Sequence, residues 1–314
     1  MIFKKIMTDE TKKLLKEAKK FGVKISVFPS FSLIKLSFKG KTRYILRDIV
    51  PLNKRFASEI TKNKNLTKIL LKKIGIKVPK GFLSFSLKET FKNLEQKKLN
   101  FPLVVKPNDK SLGEKVFAKI ENKKELKECI SILIKEKHLP FLVEEYFEGE
   151  DFRFLLIKKK IIAVAKRTPP FVIGDGRSSL KKLIEKFNKK RKKPLLIDEE
   201  VFRNLKKQKV SLETVIEKGK KIKLRENANQ GTGGIVEDVT EKVHSFFKKM
   251  VKKIAEELDL DFVGIDVLAK NITQKSPYVV IELNSCPSWI LHEEVDFGKK
   301  RKIAKEIIKN IFSE

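Results

Sequence analysis

The sequence of 314 residues, with a mass of 36.4 kDa, is long enough for one large or two to three small domains with a buried core. Its 41% hydrophobic and 36% charged residues exclude a collagen-like, disulfide-scaffold or low-complexity chain and argue against wholesale disorder. There is no apolar run near the roughly 20 residues of a membrane span, and residues 1–20 lack the apolar stretch of a secretory signal. Cys129 and Cys286 lie far apart without CxxC spacing, so we predict a cytoplasmic protein without a disulfide framework or a zinc site.

The net charge of +32 invites a nucleic-acid-binding interpretation, because clustered Lys and Arg neutralise phosphates. However, only ten of the 72 basic residues are Arg, and the Lys residues are spread over nearly every predicted helix. Arg is the residue that makes bidentate contacts with phosphates and bases. We therefore expect a solvated, lysine-biased surface that also attracts anionic substrates, and we do not expect a nucleic-acid partner.

The first 60 residues predict a small α/β lobe. An amphipathic helix over residues 9–20 ends at Gly22, and three β-rich runs follow it. The three β-rich runs cover residues 23–28, 31–38 and 42–46. After this lobe, a second helix is predicted over residues 63–74, and it ends at Gly75.

From residue 101 onward the patterns alternate between strands and helices. The helix over residues 240–258 has an apolar stripe, with Asp238 or Thr240 as its N-cap. Residues 109–115 form a polar segment that could fold over phosphates through backbone N–H groups and Lys110 or Lys115. Strands are predicted over residues 101–106, 116–120, 141–147, 152–157, 161–165, 262–268 and 278–283, and further helices over residues 122–135, 178–190 and 299–312.

Two apolar strands near the C-terminus contain carboxylates that are hard to explain as solvated. The period of two in the second strand puts Glu282 and Asn284 on one face, and Asp266 lies sixteen residues before Glu282 in a neighbouring strand. Carboxylate and amide oxygens form the set that holds Mg²⁺ beside phosphates. A buried carboxylate pair that binds only a lysine or a backbone group is the alternative, and these residues alone leave both open.

Two lysines and an acidic segment are further candidates. Lys106 ends an apolar strand, where a charge is costly unless it meets an anion, and Lys64 begins a helix, a position that favours anions. Glu144 and Asp151 flank a glycine turn and could offer carboxylates to adenine and ribose, although an ordinary acidic hairpin is the alternative. Further cationic positions are Arg153, Arg167 and Arg225.

In this order the pieces resemble the ATP-grasp superfamily of carboxylate-amine ligases, and in particular the ATP-grasp region of cyanophycin synthetases and bifunctional glutamate-cysteine ligase/glutathione synthetases. The resemblance covers residues 9–313. It rests on Asn63-Lys-Asn-Leu-Thr-Lys68, Phe101-Pro-Leu-Val-Val-Lys-Pro107, Val143-Glu-Glu-Tyr-Phe-Glu-Gly149, Gly264-Ile-Asp266 and Glu282-Leu-Asn284. The segments that resemble those two enzyme groups are Arg167 through Val172-Ile-Gly-Asp-Gly-Arg177, Arg225 through Gly234, and Leu291-His292 with Gly298-Lys-Lys-Arg301.

The resemblance implies an α+β ATP-grasp fold, in which two α/β subdomains grip ATP between antiparallel sheets. The implied domains are a lobe over residues 1–60 and an ATP-grasp domain over residues 61–314, divided into a lid-bearing part (61–145) and a C-terminal part with the metal site (146–314). The resemblance implies that Lys64, Lys106 and Lys110 bind the phosphates of ATP, that Glu144 and the Phe147 backbone bind adenine, and that Asp151 binds ribose. It implies that Asp266, Glu282 and Asn284 bind Mg²⁺, with Mn²⁺ as the alternative. It also implies that Arg153, Arg167 and Arg225 contact the acyl-phosphate or the substrate carboxylates.

The implied reaction activates an amino-acid or peptide carboxylate with ATP and couples it to an amine. The chain lacks the other catalytic modules of both relatives, which predicts a stand-alone ligase or part of a larger complex, and the resemblance suggests a homo-oligomer. One alternative is a ligase that adds an amino acid to a protein tail. A second is a basic nucleic-acid-binding protein on a degenerate ATP-grasp fold, against which the retained lysines and the Asp-Glu-Asn set argue.

Overall fold

The computed structural model describes residues 7–109, 115–189, 191, 194–226, 228 and 233–313. The helices are α1 (Asp9–Lys20), α2 (Arg55–Lys62), α3 (Lys64–Lys73), α4 (Leu87–Gln96), α5 (Lys123–Lys135), α6 (Leu180–Lys189), α7 (Glu199–Lys207), α8 (Ser245–Glu257), α9 (Ile290–Glu293) and α10 (Ile303–Phe312). The strands are β1 (Lys24–Phe28), β2 (Leu33–Phe38), β3 (Lys41–Leu46), β4 (Gly81–Ser84), β5 (Leu103–Pro107), β6 (Phe117–Ile120), β7 (Phe141–Glu145), β8 (Glu150–Ile157), β9 (Lys160–Thr168), β10 (Phe171–Ile173), β11 (Lys221–Lys223), β12 (Ile235–Asp238), β13 (Phe262–Ala269) and β14 (Tyr278–Asn284). Helices and antiparallel pairs together confirm the predicted α+β class.

The chain divides into two compact units. Unit 1 consists of Met1–Val78, Phe152–Lys166 and Glu237–Glu314, and unit 2 of Pro79–Asp151 and Arg167–Val236. Because each unit combines separate stretches of chain, the units do not coincide with the predicted domains 1–60, 61–145 and 146–314, and those boundaries stay a prediction. Among the described helices, none has the length and apolar character needed to cross a membrane.

The N-terminal part of unit 1 has the predicted helix and strands. The Thr8 hydroxyl accepts a hydrogen bond from the Thr11 N–H (3.2 Å) and caps α1, and β1, β2 and β3 form an antiparallel sheet in that order. Leu14 of α1, Leu36 of β2 and Ile307 of α10 belong to one buried cluster. Burial of these side chains holds the apolar face of the last helix against the lobe, and this contact stabilises the lobe.

Two helices in unit 1 differ from the sequence expectation: one was not predicted, and the other begins at a different residue. α2 was not predicted, because its cap residue Lys54 makes no side-chain capping bond and its eight residues bury only Ala57 and Thr61. The prediction that α8 starts at Asp238 or Thr240 is wrong. A 3₁₀ turn occupies Thr240–Lys242, the backbone is extended at Val243, and the His244 side chain caps α8 by accepting from the Phe246 N–H (3.2 Å).

A five-stranded sheet has the order β12-β9-β8-β13-β14. β13 and β14 are antiparallel, with Gly264 opposite Asn284 and Asp266 opposite Glu282, and the register shifts between Asp266 and Val267. The helix α8 contributes Phe247, Val251 and Ile254 to the buried cluster that contains both strands. Because this cluster is tightly packed, it holds β13 and β14 in place and so determines the positions of their polar side chains.

Unit 2 contains a four-stranded sheet of order β4-β7-β5-β6 and a two-stranded pair, β10 and β11. Before β4 the sequence predicts only an extended stretch that opens at Val78-Pro79, and it does not indicate α4. Phe82, Leu103, Leu126 and Phe141 belong to the cluster that packs α4 and α5 against the larger sheet. A separate cluster joins α6 and α7 to the two-stranded pair, so unit 2 has two small cores.

Asp238, which the sequence suggested as a helix cap, instead anchors the loop before α10. Both its oxygens accept from the Arg301 guanidinium (3.1 and 2.7 Å), and the Thr240 hydroxyl donates to it at 2.6 Å. Burial alone would raise the pKa of the Asp238 carboxyl, but the hydrogen bonds from Arg301 and Thr240 outweigh burial and hold that pKa below its ordinary value.

We expect Asp238→Asn to lower the free energy of unfolding by about 2 kcal/mol at pH 7, because Arg301 loses its buried charged partner and keeps only the exposed Glu241. The lowered pKa means that the stabilisation is present above the unfolded-state pKa of about 4 and is lost as the pH falls through the folded-state value. The difference in Tm between wild type and variant, measured by calorimetry, should therefore shrink below about pH 4. A deficit independent of pH would contradict this role. Glu237→Gln, whose partner is the exposed Lys242, is the control.

Candidate functional site

The predicted site residues are divided between the units. Unit 1 contains Lys64, Arg153, Asp266, Glu282 and Asn284, and unit 2 contains Lys106, Glu144, Phe147, Asp151, Arg167 and Arg225. Lys110 and residues 111–114 of the predicted phosphate-binding segment lie outside the described residues.

The β13–β14 pair brings the three predicted metal ligands to one face of the sheet. Asp266 and Glu282 are directly opposite each other, and Asn284 follows Glu282 by two residues. Directly opposite residues of antiparallel strands have neighbouring side chains on the same face. Asp266 is buried, whereas Glu282 and Asn284 are partly exposed. The two carboxylates and the amide can therefore be reached together from one side.

Arg153, on the neighbouring strand β8, holds Asp266 with both arms of its guanidinium. Its Nε donates to Oδ1, and its Nη2 donates to Oδ2 at 2.7 Å. Both side chains are buried. Such a bidentate pair fixes the plane and direction of the carboxylate.

Gly264 leaves the space that Arg153 occupies. A Cβ at residue 264 would lie 2.8 Å from Pro287 Cβ and 3.1 Å from Arg153 Cδ. In the sequence, Gly264 stood out only as part of a motif. A glycine within an apolar strand often marks a place where another group approaches closely, and that signal could have identified its role.

We expect Gly264→Ala to displace Arg153 from Asp266 and to lower the free energy of unfolding by about 1–3 kcal/mol, since neither Pro287 nor the buried strand can move freely. Thermal unfolding of the variant and the wild type, measured side by side, checks this. A variant with the wild-type free energy of unfolding would show that the space at residue 264 is not required. Ala269→Gly, on the same strand, is a control for the strand itself.

Lys64, the first residue of α3, reaches Glu282. Its Nζ lies 3.4 Å from Glu282 Oε1, and its side chain is 8% exposed. Asn63 caps α3, since its side chain accepts from the Leu66 N–H at 3.0 Å, so the helix start that orients Lys64 is fixed. The predicted phosphate ligand and a predicted metal ligand therefore meet.

Asn53 was missed by the sequence reasoning, although it ties β13 to the end of β14. Its Nδ2 donates to the carbonyls of Phe262 (2.6 Å) and Ser285 (2.9 Å). Its Oδ1 accepts from the N–H groups of Asp261 (2.9 Å) and Phe262 (2.8 Å). One amide thus satisfies four backbone groups that are more than 200 residues away, a relation that no local pattern predicts.

In unit 2, Lys106 and Glu144 form a buried ion pair. Lys106 Nζ lies 3.0 Å from Glu144 Oε2, and the two side chains are 9% and 3% exposed. In the register of β5 and β7, Lys106 is opposite Leu142 and Glu144 is opposite Val104, so the pair is diagonal on one face. From the sequence we expected an anion near Lys106, but we assigned Glu144 to adenine and not to Lys106.

Asp151 and Arg167 also form a pair in unit 2. Arg167 donates to Asp151 Oδ1 from Nε (3.1 Å) and from Nη2 (2.6 Å). Phe147 is partly buried, and its neighbour Tyr146 has its pKa raised by burial and by the nearby Glu226 and Glu148.

Arg225 has partners that tie it to the start of α7. It donates to Asp198 (2.6 Å), to Glu200 (2.6 Å) and to the Leu196 carbonyl (3.1 Å). The Asp198 side chain also caps α7, accepting from the Val201 N–H at 3.2 Å. These contacts position the polypeptide around α7, and the predicted substrate role of Arg225 stays a prediction.

Eight of the predicted residues therefore form four cation–anion pairs within their own units: Lys64 with Glu282, Arg153 with Asp266, Lys106 with Glu144, and Arg167 with Asp151. Within the described residues no three His, Cys, Asp or Glu side chains are grouped to hold a metal ion, so a metal set here depends on the Asn284 amide as third ligand. The donors are all oxygen atoms, which fits a hard divalent cation such as Mg²⁺.

Comparisons with known proteins agree with the fold and with these motifs. Residues 61–200 match the RimK-like ATP-grasp domain. The chain is 27% identical to cyanophycin synthetase from Crocosphaera subtropica, over 96% of this chain and 36% of that protein. It is 28% identical to the glutathione biosynthesis bifunctional protein GshAB from Clostridium perfringens, over 96% of this chain and 41% of that protein. The chain thus spans well under half the length of these curated relatives.

Two solved structures have the same fold. A bifunctional glutathione synthetase from Pasteurella multocida superposes with a TM-score of 0.70 and 23% identity, over 98% of this chain and 44% of that one. The D-alanine–D-alanine ligase from Bacillus anthracis, complexed with ATP, gives a TM-score of 0.51 and 17% identity, over 82% of this chain and 67% of that one. The chain therefore has the ATP-grasp fold, and its residues 61–200 are similar to the RimK-like ATP-grasp domain.

Proposed function

We propose that this chain is an ATP-dependent carboxylate-amine ligase, which activates an amino-acid or peptide carboxylate as an acyl-phosphate and couples it to an amine. The observation that carries the proposal is the placement of Asp266 opposite Glu282, with Asn284 on the same face and Arg153 and Lys64 as cationic partners. Relatives named cyanophycin synthetase, and a structural neighbour complexed with ATP, support the same chemistry.

Mg²⁺, or Mn²⁺ as the alternative, is assigned to Asp266, Glu282 and Asn284. When bound, the cation supplies positive charge that neutralises phosphate oxygens during phosphoryl transfer. Arg153 fixes the carboxylate plane of Asp266, so its contacts support a positioning role beside the predicted contact with the substrate. Lys64 balances the charge of Glu282 before ligands bind.

The reaction needs cationic groups at the phosphates because negative charge spreads over the phosphoryl oxygens. A substrate carboxylate oxygen attacks the γ-phosphorus of ATP, the bond from that phosphorus to the bridging oxygen breaks, and ADP leaves. An amine nitrogen then attacks the carbonyl carbon, the bond from carbon to the phosphate oxygen breaks, and the nitrogen loses a proton to give amide and phosphate. Lys106 is held at a buried strand end by Glu144, which suits it to bind phosphate oxygens without large rearrangement.

A phosphate-release screen with ATP, Mg²⁺ and pairs of amino acids and dipeptides identifies the substrates. Once the carboxylate substrate is known, hydroxylamine should replace the amine and give a hydroxamate that depends on ATP, Mg²⁺ and that carboxylate. This result is expected because an acyl-phosphate is a mixed anhydride that reacts with any good amine.

A stable phosphorylated product, without hydroxamate or amide, would overturn the ligase assignment and favour a kinase on the same fold. Binding of arbitrary DNA that weakens steeply with salt, without ATP turnover under any condition, would favour the nucleic-acid-binding alternative. Turnover with a protein tail but not with free amino acids or dipeptides would identify a protein-modifying ligase.

A further inference from the structure

The segment Gly298-Lys-Lys-Arg301 is a sequence motif that the proposed function does not use. Gly298 has a φ of +85°, and a Cβ there would lie 2.9 Å from the Asp238 carbonyl oxygen. The Arg301 N–H donates to the His292 carbonyl (3.0 Å), and its guanidinium is bound by Asp238. The glycine and the arginine therefore fix the backbone of a loop that displays the intervening Lys300 and the following Lys302.

A cavity of about 660 Å³ lies beside this loop, between α1 and α10, and we call it the α1–α10 cleft. Seven of its eleven lining residues are Lys or Arg and two are Glu. Six of the eleven are Lys, whereas Lys makes up about one residue in five of the whole chain and would supply about two. The lining of the cleft is therefore strongly basic.

The floor of the cleft is neutralised and fixed. Glu293 accepts from Lys13 Nζ (3.2 Å) and from the Ala304 N–H (2.8 Å), which joins α9 to α1 and α10. Glu17 pairs with Lys20 at 2.5 Å. The acidic residues that line the cleft are thus already occupied.

The remaining lysines have no such neutralisation. In the part of the chain that the structure describes, no carboxylate lies within 4.0 Å of the ammonium groups of Lys16, Lys300, Lys302 and Lys305. Four like charges around one concavity repel each other, and a bound anion relieves that repulsion. Each ammonium also offers three hydrogen-bond donors.

We propose that the α1–α10 cleft binds a small multivalent anion, with several phosphate or carboxylate groups, at a site made of none of the residues assigned to ATP or the metal. The volume falls in the range of small-molecule sites. Lysine point charges suit such an anion, whereas nucleic acid favours Arg forks and stacked aromatic rings. Here the one Arg is bound to Asp238, and Phe21 is the one aromatic residue among the lining residues.

The test is calorimetric titration of the intact chain with tripolyphosphate and, separately, with citrate at constant ionic strength. We expect saturable binding of at least one probe, and the tighter of the two tells whether phosphate or carboxylate is preferred. The triple variant Lys16→Ala, Lys300→Ala and Lys302→Ala should raise the Kd about tenfold or more. The matched control, Lys249→Ala, Lys252→Ala and Lys253→Ala on α8, removes the same charge elsewhere in unit 1 and should leave the Kd within about twofold.

The six lysines replaced in the two triple variants are all exposed, so we expect both variants to fold. Thermal unfolding of each variant checks this. Absence of saturable binding to either probe would overturn the proposal. Equal weakening in both triple variants would also overturn it, because binding would then reflect net charge alone. Binding that persists unchanged in the cleft variant would assign the anion to another site, such as the residues proposed for ATP, with the same consequence.

Discussion

Replacing Glu282 by Gln is expected to lower the rate of ADP formation by at least about 100-fold while the chain stays folded. Gln keeps the size of the side chain but removes the charge that faces Lys64 and that the assigned cation needs. Because the Glu282 side chain is 24% exposed, the neutral amide can be solvated, and we expect only a small change in the free energy of unfolding. ADP formation, its dependence on Mg²⁺ concentration and thermal unfolding are measured together.

The control for this variant is Glu59→Gln. Glu59 also has a lysine partner, Lys62 at 2.6 Å, but that pair is exposed on α2 in the same unit. The control should keep wild-type turnover, because exposed pairs contribute little. A folded Glu282→Gln variant with wild-type turnover would remove Glu282 from the site, even if the chain proves to be a ligase.

Replacing Lys106 by Met is expected to destabilise unit 2 by about 3–5 kcal/mol, because the buried Glu144 carboxylate would lose the ammonium group that lies 3.0 Å from it. The double variant with Glu144→Gln should recover much of that loss, since a neutral amide needs no counter-charge. ADP formation should stay low in the double variant if Lys106 also acts on the phosphates. Thermal unfolding and turnover therefore report on separate roles of one residue.

Lys115→Met is the matched control for the stability of the Lys106 variants, but not for their turnover, because Lys115 is itself a candidate phosphate ligand. Lys115 pairs with Glu136 at 2.8 Å in the same unit, but both side chains are more than a third exposed. Its loss should change stability by less than about 1 kcal/mol. If Lys106→Met proves no more destabilising than Lys115→Met, the buried pair contributes no more than a surface pair. If turnover returns together with stability in the double variant, the role of Lys106 is structural.

The pairing of predicted ligands with predicted cations has a consequence for ligand binding. Lys64 and Lys106 each have a carboxylate partner within their unit, so in their proposed roles phosphate oxygens would compete with Glu282 and Glu144 for them. A cation bound to Glu282 would release Lys64 for that purpose. Metal and ATP are therefore expected to bind with positive cooperativity, since each removes the partner that opposes the other.

Local patterns were sufficient for the elements that hold the site. The alternation in β14 placed Glu282 and Asn284 on one face, because the period of two is a property of the extended chain itself. The apolar stripe of α1 and the glycine that follows it at residue 22 predicted its bounds, because a helix brings together residues three or four apart and glycine often ends one. The helix α2 escaped prediction, since it has no side-chain cap bond and buries only two residues, so its pattern carries little signal.

The partner of each charged side chain was decided by tertiary structure. Arg153 meets Asp266 across 113 residues, and Asn53 joins segments more than 200 residues away. These meetings depend on the order and register of strands, which follow from how the whole core packs and not from any short window of sequence. Sequence therefore determined which residues carry charge on which face. Packing decided which opposite charge each one meets, because burial allows a charged group only beside a compensating partner.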